Sequence, residues 1–232
     1  MIRLVTFDAL HTLIMPRKPI YVQYSALTSL QAERPSYRAG ATSWWSEVIS
    51  RTALGAGADP HSVKIHLGTI APCLIKRFSS GEGYTLFDDT LETLRRLGAI
   101  GVRTGVITNS DARMASVLKD LGISGYLSPI LISEEERVEK PSISIFLAAC
   151  VRGGANPTET LHVGDDLRED YLGADNAGFH ALLLRRAGWD GEREQKGPEV
   201  DLRSRPLKSV SVVKDLHSVY AWVEKRNTTY EE

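Results

Sequence analysis

The sequence predicts an α/β fold, a doubly wound parallel sheet with a small helical insertion. Three observations predict it. Short apolar, β-rich runs alternate with helical patterns over the C-terminal two thirds of the chain. Several of those runs stop at an acidic or hydroxyl-bearing residue. Residues 16–82 break the alternation and read as helices only.

The first run, residues 2–7, is compact and apolar and ends at Asp8, as a buried strand with a carboxylate at its C-terminal end does. Runs at 102–108, 129–132, 161–163 and 181–184 follow, with a short sixth at 210–213. Helical patterns at 88–97, 112–121, 142–152, 170–177 and 214–224 lie between or after them. The insertion carries helical patterns at 20–33, 42–54 and 62–78, broken by Pro35, Gly55 and Gly57. Asp59-Pro60 reads as a cap followed by a first-turn proline. Pro72 is expected to kink or interrupt the third of these helices. Trp44 and Trp45 are expected to anchor the insertion by packing. The charged stretch at 186–208 reads as a surface loop. The division expected is a core of residues 1–15 and 83–232 and a helical insertion of 16–82.

Composition narrows the function. The chain has 232 residues, 42% apolar and 25% charged, which is ordinary globular usage. Its 28 basic and 29 acidic residues give a net charge of −1 and no general basic field for nucleic acid. Cys73 and Cys150 stand far apart, so neither a disulfide scaffold nor a structural zinc site is expected. No apolar run approaches the ~20 residues that span a bilayer. Asp8 interrupts the N-terminal apolar stretch, and an intracellular, cytoplasmic protein is the expectation, with nuclear or mitochondrial placement left open.

In parallel α/β sheets, ligands bind beyond the C-terminal ends of the strands. Asp8, Thr108 and Asp165 each fall at such an end. Four segments then line up: Phe7-Asp8-Ala9-Leu10-His11-Thr12-Leu13, Gly105-Val106-Ile107-Thr108-Asn109-Ser110, Glu139-Lys140-Pro141, and His162-Val163-Gly164-Asp165-Asp166-Leu167-Arg168-Glu169-Asp170. They offer a carboxylate nucleophile, a hydroxyl donor, a cation and a metal-binding acid. A charged phosphoryl transition state needs such parts. Taken singly, each has a plainer role: Asp8 a turn former, Thr108 and Asn109 a helix start, Lys140 a surface lysine.

This ordered set resembles the haloacid dehalogenase (HAD) superfamily of hydrolases, over nearly the whole chain. The insertion looks like that superfamily's type-1 helical cap on a Rossmann-like core. The N-terminal strand, the Trp-Trp pair and the stretch from Gly164 to Tyr171 are most similar to the group called haloacid dehalogenase-like hydrolase domain-containing protein 3. The resemblance implies that Asp8 is a nucleophile forming an aspartyl-phosphate. It implies that Thr108 and the backbone of Asn109 bind the phosphoryl group and that Lys140 neutralises its charge. It further implies Mg²⁺ held by Asp8, Asp165 and the carbonyl of Leu10. Asp166 and Asp170 would orient the metal water or Lys140. The implied partner is a small phosphorylated molecule.

One position departs from that pattern. Superfamily phosphatases usually carry an acid/base aspartate two residues after the nucleophile, where this chain has Leu10. Leucine moves no proton, and a positioned general acid or base is worth ~10²–10⁴ in rate. His11 is adjacent and replaces it only if the loop has already turned. Two function classes follow. One is a phosphatase-type hydrolase that is slow or specialised; the other is a non-catalytic binding or assembly protein with a protein partner. Haloacid dehalogenase chemistry is a lesser alternative, because Asp165 and Asp166 look like a metal motif. Phosphonate hydrolysis is another, because none of Lys18, Lys64 and Lys76 has a context marking it as activated. Ser142 stands where related sequences often have aspartate after Lys-Pro.

Overall fold

The computed structural model describes residues 1–17, 41–186 and 210–229. Its main sheet has six strands: β1 (Leu4–Phe7), β4 (Arg103–Thr108), β5 (Leu127–Ile132), β6 (Thr160–Gly164), β7 (His180–Leu184) and β8 (Val212–Val213). They lie in the order β5-β4-β1-β6-β7-β8, every neighbouring pair parallel. The chain winds from β1 outward to β5, then returns to the other side of β1 and winds outward to β8. The direction reverses beside β1, the place where open sheets of this kind bind ligands beyond the strand ends.

The strands form where they do because they are apolar on both faces. Leu4, Val5, Phe7, Val106, Ile107, Leu161 and Val163 are all buried. One core cluster lies on one side of the sheet, joined by Leu94 and Leu97 of α3 (Thr90–Ala99) and by Val219 and Val223 of α8 (Leu216–Thr228). A second packs Ile107 and Leu131 against Ile145, Phe146 and Ala149 of α6 (Ile143–Gly153). The sheet is therefore covered on both faces, as a doubly wound fold requires.

Between residues 17 and 84 run two described helices, α1 (Ala41–Gly55) and α2 (Pro60–Arg77). Asp59 caps α2 by accepting from the Ser62 amide at 2.8 Å, with Pro60 in the first turn. The helix runs uninterrupted through Pro72. The expected helix at 20–33 and the loop at 186–208 fall, apart from Arg186, outside the described residues.

Two short strands were not expected from the sequence. β2 (Ile14–Pro16) and β3 (Tyr84–Leu86) pair antiparallel and bring together the chain entering and leaving this region. Three residues each is too short for a period-two pattern to register. The helix expected at 170–177 also differs. It is a π-helical turn, Leu167–Leu172, followed by the one-turn α7 (Gly173–Asn176).

A clamp ties neighbouring segments together. Arg186 grips Asp89 with two hydrogen bonds of 2.9 and 3.0 Å and donates to the Thr12 carbonyl at 2.9 Å. Asp89 also accepts from the Leu216 amide at 2.8 Å. The clamp ties the loop after β1, the segment after β3 and the start of α8 to the end of β7. Both side chains are largely buried, so Asp89→Ala leaves a cation and an amide without their acceptor. The expected loss is about 3–5 kcal/mol, read from urea unfolding. A loss under about 1 kcal/mol would show the clamp to be solvent-screened.

Candidate active site

Register places the site. Phe7 pairs with Val106 on one side and Val163 on the other. Asp8, Thr108 and Asp165 therefore emerge together at the C-terminal edge of the three central strands. Asp8 and Thr108 are buried, and Asp165 is half-buried.

Lys140 comes from the loop between β5 and α6. Its Nζ donates to Asp8 Oδ1 and to Asp170 Oδ1, each at 2.6 Å. Only 2% of its side chain is exposed, so the ammonium exists there because two carboxylates surround it. Burial alone would lower its pKa; Asp170 and Asp8 outweigh that and raise it. Lys140 is fully charged at neutral pH.

The three carboxylates differ sharply. Burial pushes Asp8 up to about 7, helped by the charges of Asp170 and Asp165 and opposed by Lys140. Burial also works to raise Asp170, but Lys140 and His162 prevail and hold it below the usual carboxylate range. Asp8, Asp165 and Asp170 each offer an oxygen, and the three lie within 4.8 Å of one another. Both oxygens of Asp170 are engaged, Oδ1 by Lys140 and His162, Oδ2 by the Asp166 amide at 2.9 Å. Hard oxygen donors crowded in this way suit a small divalent cation.

Each remaining expected residue has a definite place. The Asn109 side chain grips the main chain of Lys140. Its Oδ1 accepts from the Lys140 amide at 2.7 Å, and its Nδ2 donates to the Lys140 carbonyl at 2.9 Å. Nδ2 also reaches Glu169 Oε2 at 3.2 Å. The Asp166 carboxylate caps the π-helical turn, accepting from the amides of Arg168 and Glu169, both at 2.8 Å. The Asp166 main-chain N–H reaches Asp170 Oδ2 and so links this residue toward Lys140. Leu10 is half-buried and packs against the main core cluster. The chain turns directly after it. His11 has a φ of 61° and donates its N–H to the Ile14 carbonyl at 2.8 Å.

Trp45 on α1 donates its indole N–H to Asp111 Oδ2 at 2.9 Å, and the Arg113 guanidinium lies 4.7 Å from its ring centroid. This joins α1 to the loop that carries Thr108 and Asn109. The Trp44 side chain lies outside the described residues.

Four further contributors have no role assigned from the sequence, although His162 and Glu169 stand within the fourth segment. Thr6 and His162 meet beneath the carboxylates at 2.9 Å. Glu169 supports Asn109, and Arg185 donates to the Asp165 carbonyl. Gly164 is the detectable signal. A Cβ there would sit 2.2 Å from the Asp170 carboxyl carbon, so only glycine lets that acid lie over the strand end.

Comparison with known proteins agrees with this architecture. A 2-haloacid dehalogenase from Pseudomonas syringae superposes with a TM-score of 0.64 at 23% identity, over 97% of this chain and 99% of that one, and so shares the fold. The mouse protein called haloacid dehalogenase-like hydrolase domain-containing protein 3 is 30% identical over 207 residues, 78% of this chain and 81% of its own. The zebrafish protein of that description aligns over 60% of its length. A glyceraldehyde 3-phosphate phosphatase from Methanopyrus kandleri is 33% identical over 134 residues, 56% of this chain and 57% of its own. Residues 3–178 match the family described as haloacid dehalogenase-like hydrolase, and the chain belongs to that family.

Proposed function

We propose that this chain hydrolyses a small phosphorylated molecule through an aspartyl-phosphate on Asp8, with Mg²⁺ as cofactor. The observation that carries this reading is Lys140 Nζ, buried and bridging Asp8 and Asp170 at 2.6 Å where the central strands end. A lysine so placed neutralises charge at Asp8 and at whatever anion approaches it. The phosphatase name of the Methanopyrus kandleri relative supports a phosphorylated substrate.

In the first step an Asp8 carboxylate oxygen forms a bond to phosphorus, and the bond from phosphorus to the leaving oxygen breaks. In the second, water attacks phosphorus and releases inorganic phosphate and free Asp8. Thr108 and the Asn109 amide hydrogen-bond the phosphoryl oxygens, while the Asn109 side chain keeps the Lys140 main chain in place. Asp8, Asp165 and the Leu10 carbonyl hold the ion, since Asp170 is already committed to Lys140, His162 and the Asp166 amide. Bound Mg²⁺ supplies charge neutralisation at the phosphoryl group.

Leu10 offers no proton to the leaving group. The fitting substrates are therefore those that leave without one, such as acyl and aryl phosphates. The test is turnover of acetyl phosphate and p-nitrophenyl phosphate with and without Mg²⁺. Mg²⁺-dependent release of phosphate is expected. Rates at background across both substrates would instead favour a non-catalytic binding or assembly protein.

Cation binding should also track pH. Asp8 holds a proton below about 7 and must lose it before it ligates an ion. The apparent Mg²⁺ affinity should fall by up to about tenfold for each unit below that value and level off above it. Isothermal titration in buffers of different ionisation enthalpy reads the proton released. A flat affinity between pH 5.5 and 8 would show that Asp8 either titrates below that window or does not ligate the ion.

A further inference from the structure

His162 belongs to β6 and pairs in register with Thr6 of β1. Alternation along the strands places Thr6 on the same face as Asp8, and His162 on the same face as Gly164. The imidazole is shut off from water: its side chain is 0% exposed, and Phe146 meets it edge-on at 5.2 Å between centroids. Nothing in the proposed reaction uses it, yet both its nitrogens are engaged. Nδ1 is 2.9 Å from Thr6 Oγ1, and Nε2 is 3.2 Å from Asp170 Oδ1.

The partners decide the tautomer. Burial lowers the pKa of His162, so the ring is neutral, with one donor and one acceptor. Asp170, ionised beside Lys140, only accepts. Nε2 therefore carries the hydrogen. Nδ1 accepts from the Thr6 hydroxyl, whose other acceptor, the Leu161 carbonyl, is 3.4 Å away. Four hydrogen bonds then form one line, from Thr6 to His162 to Asp170, and from Lys140 to Asp170 and to Asp8.

We infer that His162, held by Thr6 as the Nε2–H tautomer, is a positioning residue that fixes Asp170 and through it the Lys140 ammonium against Asp8. The inference rests on the reading of Asp8 as the nucleophile. Its physical basis is the single oxygen shared by His162 and Lys140. With Nε2–H on Asp170 Oδ1 and the Asp166 amide on Oδ2, the carboxylate cannot rotate. Without the imidazole Oδ1 keeps Lys140 as its partner while Oδ2 keeps the Asp166 amide, and Oδ1 can shift toward the lysine and draw Nζ away from Asp8. Small displacements of a charge-stabilising group cost rate rather than binding.

Two measurements test this. The first is ¹⁵N NMR of the imidazole in the wild-type protein, which needs no activity. A protonated Nε2 and an unprotonated, hydrogen-bonded Nδ1 are expected; a protonated Nδ1 overturns the proposal. The second is steady-state hydrolysis of acetyl phosphate by His162→Leu and His162→Gln. Loss of a hydrogen bond to a charged group should lower kcat by about 10–100-fold in His162→Leu. KM should stay within about twofold. His162→Gln, whose amide N–H reaches the place of Nε2–H, should recover most of kcat. Thermal unfolding checks that both variants are folded. Normal kcat in folded His162→Leu overturns the inference alone, as does a folded His162→Gln no better than leucine. A wild-type protein with no Asp8-dependent turnover overturns the reading of Asp8 itself, and the positioning role falls with it.

Discussion

Replacing Asp8 by asparagine is expected to lower Mg²⁺-dependent hydrolysis of acetyl phosphate by about 10⁴-fold or more. An amide oxygen does not displace at phosphorus, and the change also removes one anionic ligand from the ion. The substitution should leave the fold intact, because Lys140 keeps its 2.6 Å bond to Asp170. Its effect on stability has a definite sign. The folded-state pKa of Asp8 is raised, to about 7, so its stabilising contribution is complete below its unfolded value and is lost as pH rises through 7. The neutral amide removes that loss. At pH 8 in metal-free buffer, Asp8→Asn should therefore unfold at the same temperature as wild type or higher. Residual turnover above a hundredth of wild type would show that phosphorus is attacked by some other group.

The second large effect is a gain. Leu10→Asp puts a carboxyl where phosphatases of the family carry their proton shuttle. It should raise kcat on an alkyl phosphomonoester by about 10²–10⁴-fold, while acetyl phosphate, which needs no protonation, changes far less. The contrast between the two substrates is the reading. Leu10 packs against the core only partly, and the chain turns at the next residue, so an added carboxylate has a route to solvent. A folded, Mg²⁺-binding Leu10→Asp protein with no gain on alkyl phosphates would place the limitation elsewhere in the site. Wild-type turnover of alkyl phosphates at ordinary enzymatic rates would show that another group already moves the proton. His11, at the turn, is then the first residue to replace.

Much of the fold was legible in the sequence because it depends on local pattern. Six apolar runs marked the six strands of the main sheet, with limits that differ by one or two residues. Asp59 announced the start of α2 through its own cap. The β2–β3 pairing was invisible, because three-residue strands carry no period and it joins segments about seventy residues apart. The sequence predicts a helix at 170–177, whereas the π-helical turn begins earlier, at Leu167, and its spacing over six residues resembles that of an α-helix. What distinguishes it is Asp170, which must lie over Gly164 and reach back to Lys140.

The candidate site divides in the same way. Sequence alone determined that Asp8, Thr108 and Asp165 share one edge, because a parallel sheet brings strand ends together and each residue directly follows a buried run. It also determined that position 10 is a leucine and carries no proton. Only the tertiary structure decided which groups touch. Lys140 meets Asp8 across 132 residues of chain and Asp170 across 30. Thr6 meets His162 across 156. The Asn109 side chain turned out to hold the Lys140 main chain, and Trp45 to grip Asp111. Such partnerships follow from strand order and from how helices seat on the sheet, sums of many small packing contacts that no single segment records. Local chemistry names the groups that can act; long-range packing sets their charges, their tautomers and the tenths of an ångström between them.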